Sequence, residues 1–404
     1  MTTIDLTELP TVRAADVYKG GVHAGRILRH PDRIDFAYLP EYVEALGDPV
    51  ATTLPLALEP VTSPAGAVPP FFAGLLPEGR RLSATRRAVK TSADDDLSIL
   101  LAVGSDTIGD VQVLPAGAPP SATEPAVSVE DWGAVTFADV LHRSLGTTLD
   151  RVGLPGVQDK VSAMMIAVPV RQRGARSILK LTPPEYPYLV ENEAFFLDAA
   201  RGVGLTVVES EVVHDSTGAA GLLVHRFDRP TDGAGPAMLA VEDACQALGR
   251  YPADKYALTA EEVVRGLARV ARAGPVAARD LVRQHAFGYV SCNGDAHAKN
   301  FAVLRGADGE WRVSPAYDLP CSQVYGDPTM ALTIDGKRQE DIGRASFLAL
   351  GASVGLPARA VDRLLTDLLA ASDGWIDRLD ELPFDERRIH KLRRAVQYRR
   401  DRLR

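Results

Sequence analysis

An α+β architecture, with short strands up to about residue 240 and mainly helices beyond, is what this sequence predicts. Three observations carry that expectation. Paired apolar runs broken by Gly-containing or charged turns recur in the first part of the chain, a Pro-rich stretch interrupts it from Pro115 to Pro125, and from Glu242 onward the apolar residues fall at helical spacing.

Taken in order, Val17-Tyr18 to Ile27-Leu28, broken by Lys19-Gly20-Gly21, predicts a hairpin, and Asp35 to Tyr38 a further strand. Pro77-Glu78-Gly79 leads into a basic helical run through Lys90. The segment P-A-G-A-P-P-S-A-T-E-P, Pro115 to Pro125, can hold neither a helix nor a central strand and places a boundary there. Val161 to Val170 is expected as a strand, Arg171 to Arg176 as a turn and Ser177 to Lys180 as a second strand. Asn192 to Arg201 follows as a helix with Phe195, Phe196 and Ala199 on one side. Later helices are expected at Ala260 to Ala273, Val276 to Cys292, Ala345 to Val354, Pro357 to Ala371 and Glu386 to Leu403. The division that results is an N-terminal mixed β/α subdomain (1–115), a linker and lead-in helix (116–148), a small lobe (149–240) and a helical C-terminal lobe (241–404).

Composition narrows the function classes. With 404 residues and 46% hydrophobic content there is material for two or three packed domains. A net charge of −8 argues against a surface that binds nucleic acid everywhere, while leaving room for a local basic patch. Cys245, Cys292 and Cys321 show no C-x-x-C spacing and are expected as buried apolar residues in a reducing cytoplasm. Met1 to Pro10 lacks the basic start and apolar run of a signal peptide, and no run approaches the ~18 apolar residues of a membrane span. The expectation is a cytoplasmic protein without membrane contact.

The chemistry is concentrated in N-G-D-A-H-A-K-N (Asn293 to Asn300) and S-P-A-Y-D-L-P (Ser314 to Pro320). In protein kinases one Asp accepts the proton of the substrate hydroxyl, an Asn five residues on ligates magnesium, and a second Asp near a strand end holds the metal bridging the phosphates. Asp295 and Asn300 have that spacing, and Asp318 follows. Phe301 to Leu304 is expected as a strand, Gly306 to Gly309 as a turn and Trp311 to Val313 as a returning strand, which would bring Asn300 and Asp318 side by side. Lys180, ending one strand, and Glu193, near the start of the next helix, fit a lysine gripping phosphates and the carboxylate that orients it, with Glu191 a close competitor for the second role. For Lys299 two orientations are open, one turned into the site to neutralise the moving phosphate and one pointing into solvent. His297 lies inside the loop; with no second His at i+4 and oxygen donors around it, magnesium suits the site better than zinc.

Further stretches, G-V-Q-D-K (Gly156 to Lys160), R-F-D-R (Arg226 to Arg229), E-D-A-C-Q (Glu242 to Gln246) and A-Y-D-L, stand in an order that resembles the HipA-type serine/threonine kinases, the toxin half of bacterial toxin–antitoxin pairs. F-F-A-G-L-L-P-E-G (Phe71 to Gly79) and D-T-I-G-D-V-Q (Asp106 to Gln112) resemble that family's first domain, so the similarity runs nearly end to end. The resemblance implies a two-lobed protein-kinase-like fold, related to that of HipA and the phosphatidylinositol 3/4-kinases, and the use of ATP and Mg2+. It implies Asp295 and Lys299 as catalytic residues, Asn300 and Asp318 as metal ligands, and Gly156, Val157, Gln158, Asp159 and Lys160 as the phosphate loop, although that loop matches neither a Walker nor a protein-kinase glycine pattern. Lys180, Glu193, His297 and Tyr317 join the nucleotide site, with His225, Arg226 and Phe227 as the hinge. Implied partners are a helix-turn-helix, HipB-like antitoxin that carries the contact with operator DNA, and a protein substrate in the translation machinery. One departure concerns control. Gly153 stands where well-known relatives carry an inhibitory phosphoserine, with Ser162 and Ser177 as candidate substitutes. The basic run from Asp385 to Arg404 reads as an amphipathic helix docked through Ile389, Leu392, Val396 and Leu403, or, in a sharper reading, as arginines lying near DNA. Alternatives to a protein kinase are a small-molecule kinase and a nucleotide-binding pseudokinase acting as corepressor or scaffold.

Overall fold

The structure, a computed structural model, describes residues 5–120, 127–145, 165–231, 237–339 and 341–404. The expected phosphate loop from Gly156 to Lys160, together with Gly153 and Ser162, lies outside the described residues.

Lys19-Gly20-Gly21 turns the first hairpin as the sequence predicts. Strands β1 (Ala14–Lys19) and β2 (Val22–Arg29) pair antiparallel, and Gly20 and Gly21 both adopt the positive φ that a side chain would resist. With β3 (Arg33–Tyr38), β4 (Val61–Pro64) and β5 (Val111–Pro115) they form a sheet ordered β4-β3-β2-β1-β5. Val17, Ile27, Phe36 and Val113 face the core shared with the helices α1 (Pro40–Glu44), α2 (Pro70–Gly74), α3 (Gly79–Val89) and α4 (Asp96–Val103). Helix α3 stops where Lys90 takes the left-handed conformation.

A second sheet, β6-β7-β8-β10-β9, follows. It comprises β6 (Ser128–Val129), β7 (Ile166–Gln172), β8 (Ala175–Leu181), β9 (Ser210–His214) and β10 (Ala220–His225), with helix α5 (Phe137–Leu145) packed on one face through Phe137, Val140 and Leu141. The segment after the Pro-rich stretch thus adds a short strand, parallel to β7, that sequence periodicity did not mark because two residues carry no alternation. The turn between β7 and β8 also differs from expectation. It spans Arg173-Gly174 rather than Arg171 to Arg176, both at positive φ, the two-residue geometry whose twist matches the flanking strands. Helix α6 (Leu189–Gly202) begins earlier than expected and buries more than one face, so that Asn192 and Glu193 are fully enclosed while Phe195 is only half-buried.

Beyond, the chain is mainly helical: α7 (Ala244–Ala247), α8 (Ala260–Val270), α9 (Gly274–Val290), α10 (Arg344–Ser353), α11 (Ala358–Ile376) and α12 (Glu386–Leu403). A three-stranded sheet, β11 (Val241–Asp243), β12 (Ala302–Arg305) and β13 (Trp311–Val313), is inserted among them. The three cysteines are buried free thiols. Ile389, Leu392, Val396 and Leu403 dock α12 as expected, and Arg399 and Arg400 are buried beside them, Arg399 donating to the Tyr289 carbonyl at 2.7 Å. No helix among the described residues is long and apolar enough to cross a membrane.

Candidate active site

Helix α9 delivers the N-G-D loop through a Schellman ending. The N–H of Asn293 donates to Gly288 O at 2.9 Å and that of Cys292 to Tyr289 O at 3.2 Å, with Cys292 at φ 59° where glycine is usual. A buried thiol held in the left-handed region is strain the surrounding packing must offset, and it aims the next residues at the cleft. Asn293, fully buried, accepts from Asp295 N at 3.0 Å and donates to Asp318 O at 3.4 Å, fastening the two halves of the site together. Asn300 Oδ1 accepts from His297 N at 3.1 Å, closing the loop on itself.

The strands β12 and β13 return the chain so that Asn300 Nδ2 donates to Asp318 Oδ2 at 2.6 Å. Asp318, also at positive φ (58°), presents Oδ1 to Lys180 Nζ at 3.1 Å. Alternation along β8 explains the lysine. Ser177, Leu179 and Leu181 point into the core, leaving Ile178 and Lys180 on the opposite face. Lys180 also meets Glu193 Oε1 at 2.6 Å, and it is Glu193 rather than Glu191 that pairs with it. Burial works against the Lys180 ammonium, but Asp318 and Glu193 outweigh it and keep it charged. Burial raises the Glu193 carboxyl to about 7, whereas Asp318, also penalised by burial, is held below the ordinary range chiefly by Lys180. Of the two carboxylates on one ammonium, Asp318 is the better anion. Glu193 Oε2 is buried with no hydrogen-bond partner among the described residues.

Lys180 and Glu193 line a cavity of about 330 Å³ with Ile178 and Pro169 overhead and Val224 to Asp228 along one side. His225 turns Nδ1 to Ser177 Oγ at 3.0 Å, and Phe227 stacks on Tyr317, 6.0 Å between centroids. Arg226 carries a different duty from the one its place in the hinge suggests. Its guanidinium is taken up by Asp228, by Asp106 at 2.8 Å and by the Thr107 carbonyl at 2.6 Å, so it ties this strand end to the N-terminal domain. That domain supplies a second wall, including Gly74 to Pro77, Arg81 and Ile108, and Asp243, Lys299 and Tyr317 line the cavity from the C-terminal lobe.

Lys299 does not point into solvent; it lines the same cavity. Its Nζ is buried between Glu78 Oε1 at 3.0 Å, Asp243 Oδ2 at 3.5 Å and the Gly74 carbonyl at 3.0 Å. Asp295 is 1% exposed and accepts from the Tyr256 hydroxyl at 2.8 Å, a partner 39 residues away that no local pattern announces. Burial and then Asp295 raise the Tyr256 phenol, so it stays a donor. His297 stacks edge-on against Tyr256, its Nδ1 buried with no hydrogen-bond partner among the described residues; burial, then Lys255, lowers it to about 4, leaving a neutral ring. Asp318 offers carboxylate oxygens beside Lys180, whereas Asn300 turns its Nδ2 to Asp318 and its Oδ1 to His297 N, so its oxygen would join a magnesium site only with the amide rotated; no group of three or more His, Cys, Asp or Glu able to hold an ion occurs among the described residues.

Comparison with known proteins places this geometry. Residues 15–114 match the HipA N-terminal domain and residues 152–375 the HipA-like C-terminal domain. The Sinorhizobium fredii protein Y4mE, which bears a provisional kinase name, is 32% identical over 96% of this chain and 97% of its own. The serine/threonine-protein kinase toxin HipA of Shewanella oneidensis is 26% identical over 79% of this chain and 78% of its own. The structure of Shewanella oneidensis HipA with HipB and operator DNA superposes with a TM-score of 0.77 over 96% of both chains at 21% identity, so the mixed α+β, two-lobed kinase-like fold is shared. The chain belongs to the HipA kinase family.

Proposed function

We propose that this protein is an ATP- and magnesium-dependent serine/threonine protein kinase acting as a toxin, with a component of translation as target. The observation that carries this reading is the joined set of Lys180, Glu193, Asp318 and Asn300 beside a cavity of about 330 Å³. In this reading residues 149–240 bind the nucleotide and 241–404 carry the catalytic loop. Lys180 grips the phosphates, and Glu193 limits the rotamers of its long side chain. Asp318, with Asn300 once its amide oxygen is turned to the site, would hold magnesium, which would neutralise charge on the phosphates. Asp295 accepts the proton of the substrate hydroxyl as its oxygen attacks the γ-phosphorus; the bond to the bridging oxygen breaks and its electron pair leaves with ADP. Hinge recognition of adenine falls to the backbone from His225 to Phe227, which tolerates the imidazole at His225.

A helix-turn-helix antitoxin is the proposed partner, supported by the HipB and operator DNA that accompany the Shewanella oneidensis relative, and the cytoplasm is the proposed compartment. Incubation with labelled ATP and a bacterial lysate tests the activity. A labelled protein band that depends on magnesium is expected; ATP turnover with small acceptors alone, or no turnover, would refute a protein kinase.

A further inference from the structure

One carboxylate from the N-terminal domain enters the catalytic region. Glu78 lies in the Pro77-Glu78-Gly79 turn between α2 and α3, and the turn cannot be reshaped freely, because Gly79 holds φ 53° and the Gly74 carbonyl is itself bonded to Lys299. Two lysines meet on Glu78. Its Oε1 is 3.0 Å from Lys299 Nζ, and its Oε2 pairs with Lys255 Nζ. Each lysine immediately precedes a residue that holds an aspartate: Lys299 precedes Asn300, bonded to Asp318, and Lys255 precedes Tyr256, bonded to Asp295. Lys255 also sits 5.3 Å from the centre of the Tyr256 ring. Burial acts to raise the Glu78 carboxyl, but Lys299 and Lys255 together bring it down to about 2.

We propose that Glu78 is a positioning residue for phosphoryl transfer, holding Lys299-Asn300 with one oxygen and Lys255-Tyr256 with the other and thereby setting the placement of both Asp318 and Asp295. The inference rests on the kinase reading of those two aspartates. Its physical basis is geometric: both lysine side chains are largely enclosed, 12% and 14% exposed, so without Glu78 neither ammonium can simply turn to water. Lys299 would then be left to Asp243 and the Gly74 carbonyl, and Lys255 to a new rotamer, shifting the residues that follow them. A displacement near 1 Å at a reacting group costs roughly 10²-fold in rate.

The test compares full-length wild type, Glu78→Gln and Glu78→Asp by three measurements: melting temperature, kcat and KM for ATP in lysate phosphorylation, and deuterium uptake of peptides covering 254–258 and 295–301. Glu78→Gln is expected to lower kcat roughly 10²-fold as Asp295 shifts, with a rise in KM for ATP as Asp318 shifts. Faster uptake confined to the two peptides, with partial recovery in Glu78→Asp, is also expected. Unchanged uptake in both peptides, or an unchanged kcat, would overturn the proposal. Absence of turnover in the wild type would instead refute the kinase reading, and uptake in the two peptides would still decide whether Glu78 holds these segments.

Discussion

Replacement of Asp295 by Asn isolates one chemical property of this site. The side chain is 1% exposed and accepts from the Tyr256 hydroxyl at 2.8 Å, so the isosteric amide keeps the volume and can keep that bond through its own oxygen. What it loses is the lone pair that takes the substrate proton, since the second position becomes an NH2 donor. A general base contributes roughly 10²- to 10⁴-fold, which corresponds to about 3 to 5 kcal/mol of barrier. Nucleotide binding should barely change, because the contacts joining Lys180, Glu193, Asp318 and Asn300 do not pass through the Asp295 carboxylate. The assay pairs calorimetric titration of ATP with magnesium against phosphorylation of a lysate target at saturating ATP. Expression of the wild type should slow growth of a bacterial host, and this variant should not. Transfer at the wild-type rate would show that Asp295 is not the base; an equal loss of ATP affinity would show that it serves binding instead.

Asp318→Ala removes the anion that faces Lys180 and Asn300 and should weaken magnesium-dependent ATP binding by roughly 10- to 100-fold, the worth of hydrogen bonds to a charged group; an unchanged dissociation constant would refute the metal assignment. His285, buried and stacked 4.1 Å from Phe301, is lowered by burial from 6.5 to about 4. Its neutral form is the folded one, so the unfolded chain binds the extra proton and stability should fall by about 3 kcal/mol as pH drops from 6.5 to about 4; urea denaturation of His285→Phe should lose that slope. Ser177 is 1% exposed with its hydroxyl at His225 Nδ1, so a kinase would reach it only after local opening of β8. Inhibition is therefore expected from the antitoxin rather than from phosphate at Ser177, and mass spectrometry after ATP incubation finding stoichiometric phosphoserine there, with lost activity, would overturn this.

What the sequence determined on its own is whatever neighbouring residues dictate. Gly20-Gly21 sets a hairpin because positive φ costs glycine nothing, and the spacing of Ile389, Leu392 and Val396 sets a docked helix because three to four residues make one turn. The juxtaposition of Asn300 and Asp318 followed from two short strands and the turn between them, and Lys180 with Glu193 from a strand end and the helix after it. Chemistry drawn from one segment, or from two joined by a turn, is legible in this way.

Tertiary structure alone decided the partners of those residues. Tyr256 reaches Asp295 across 39 positions, and Lys299 reaches the Gly74 carbonyl across 225, distances at which no periodicity or spacing constrains which side chain arrives. The orientation of Lys299 illustrates the reason. An ammonium on a flexible four-carbon stem has no preferred direction in the sequence, and only the folded arrangement of Glu78, Asp243 and the Gly74 carbonyl supplies the field and the acceptor that direct it toward the N-terminal domain. The same holds for Arg226, whose position in the hinge suggests a nucleotide contact and whose guanidinium is committed to Asp106, Thr107 and Asp228 once the first domain packs against the second sheet. Local chain geometry places a side chain at the cleft; the charges that come to surround it from elsewhere in the chain decide what it does there.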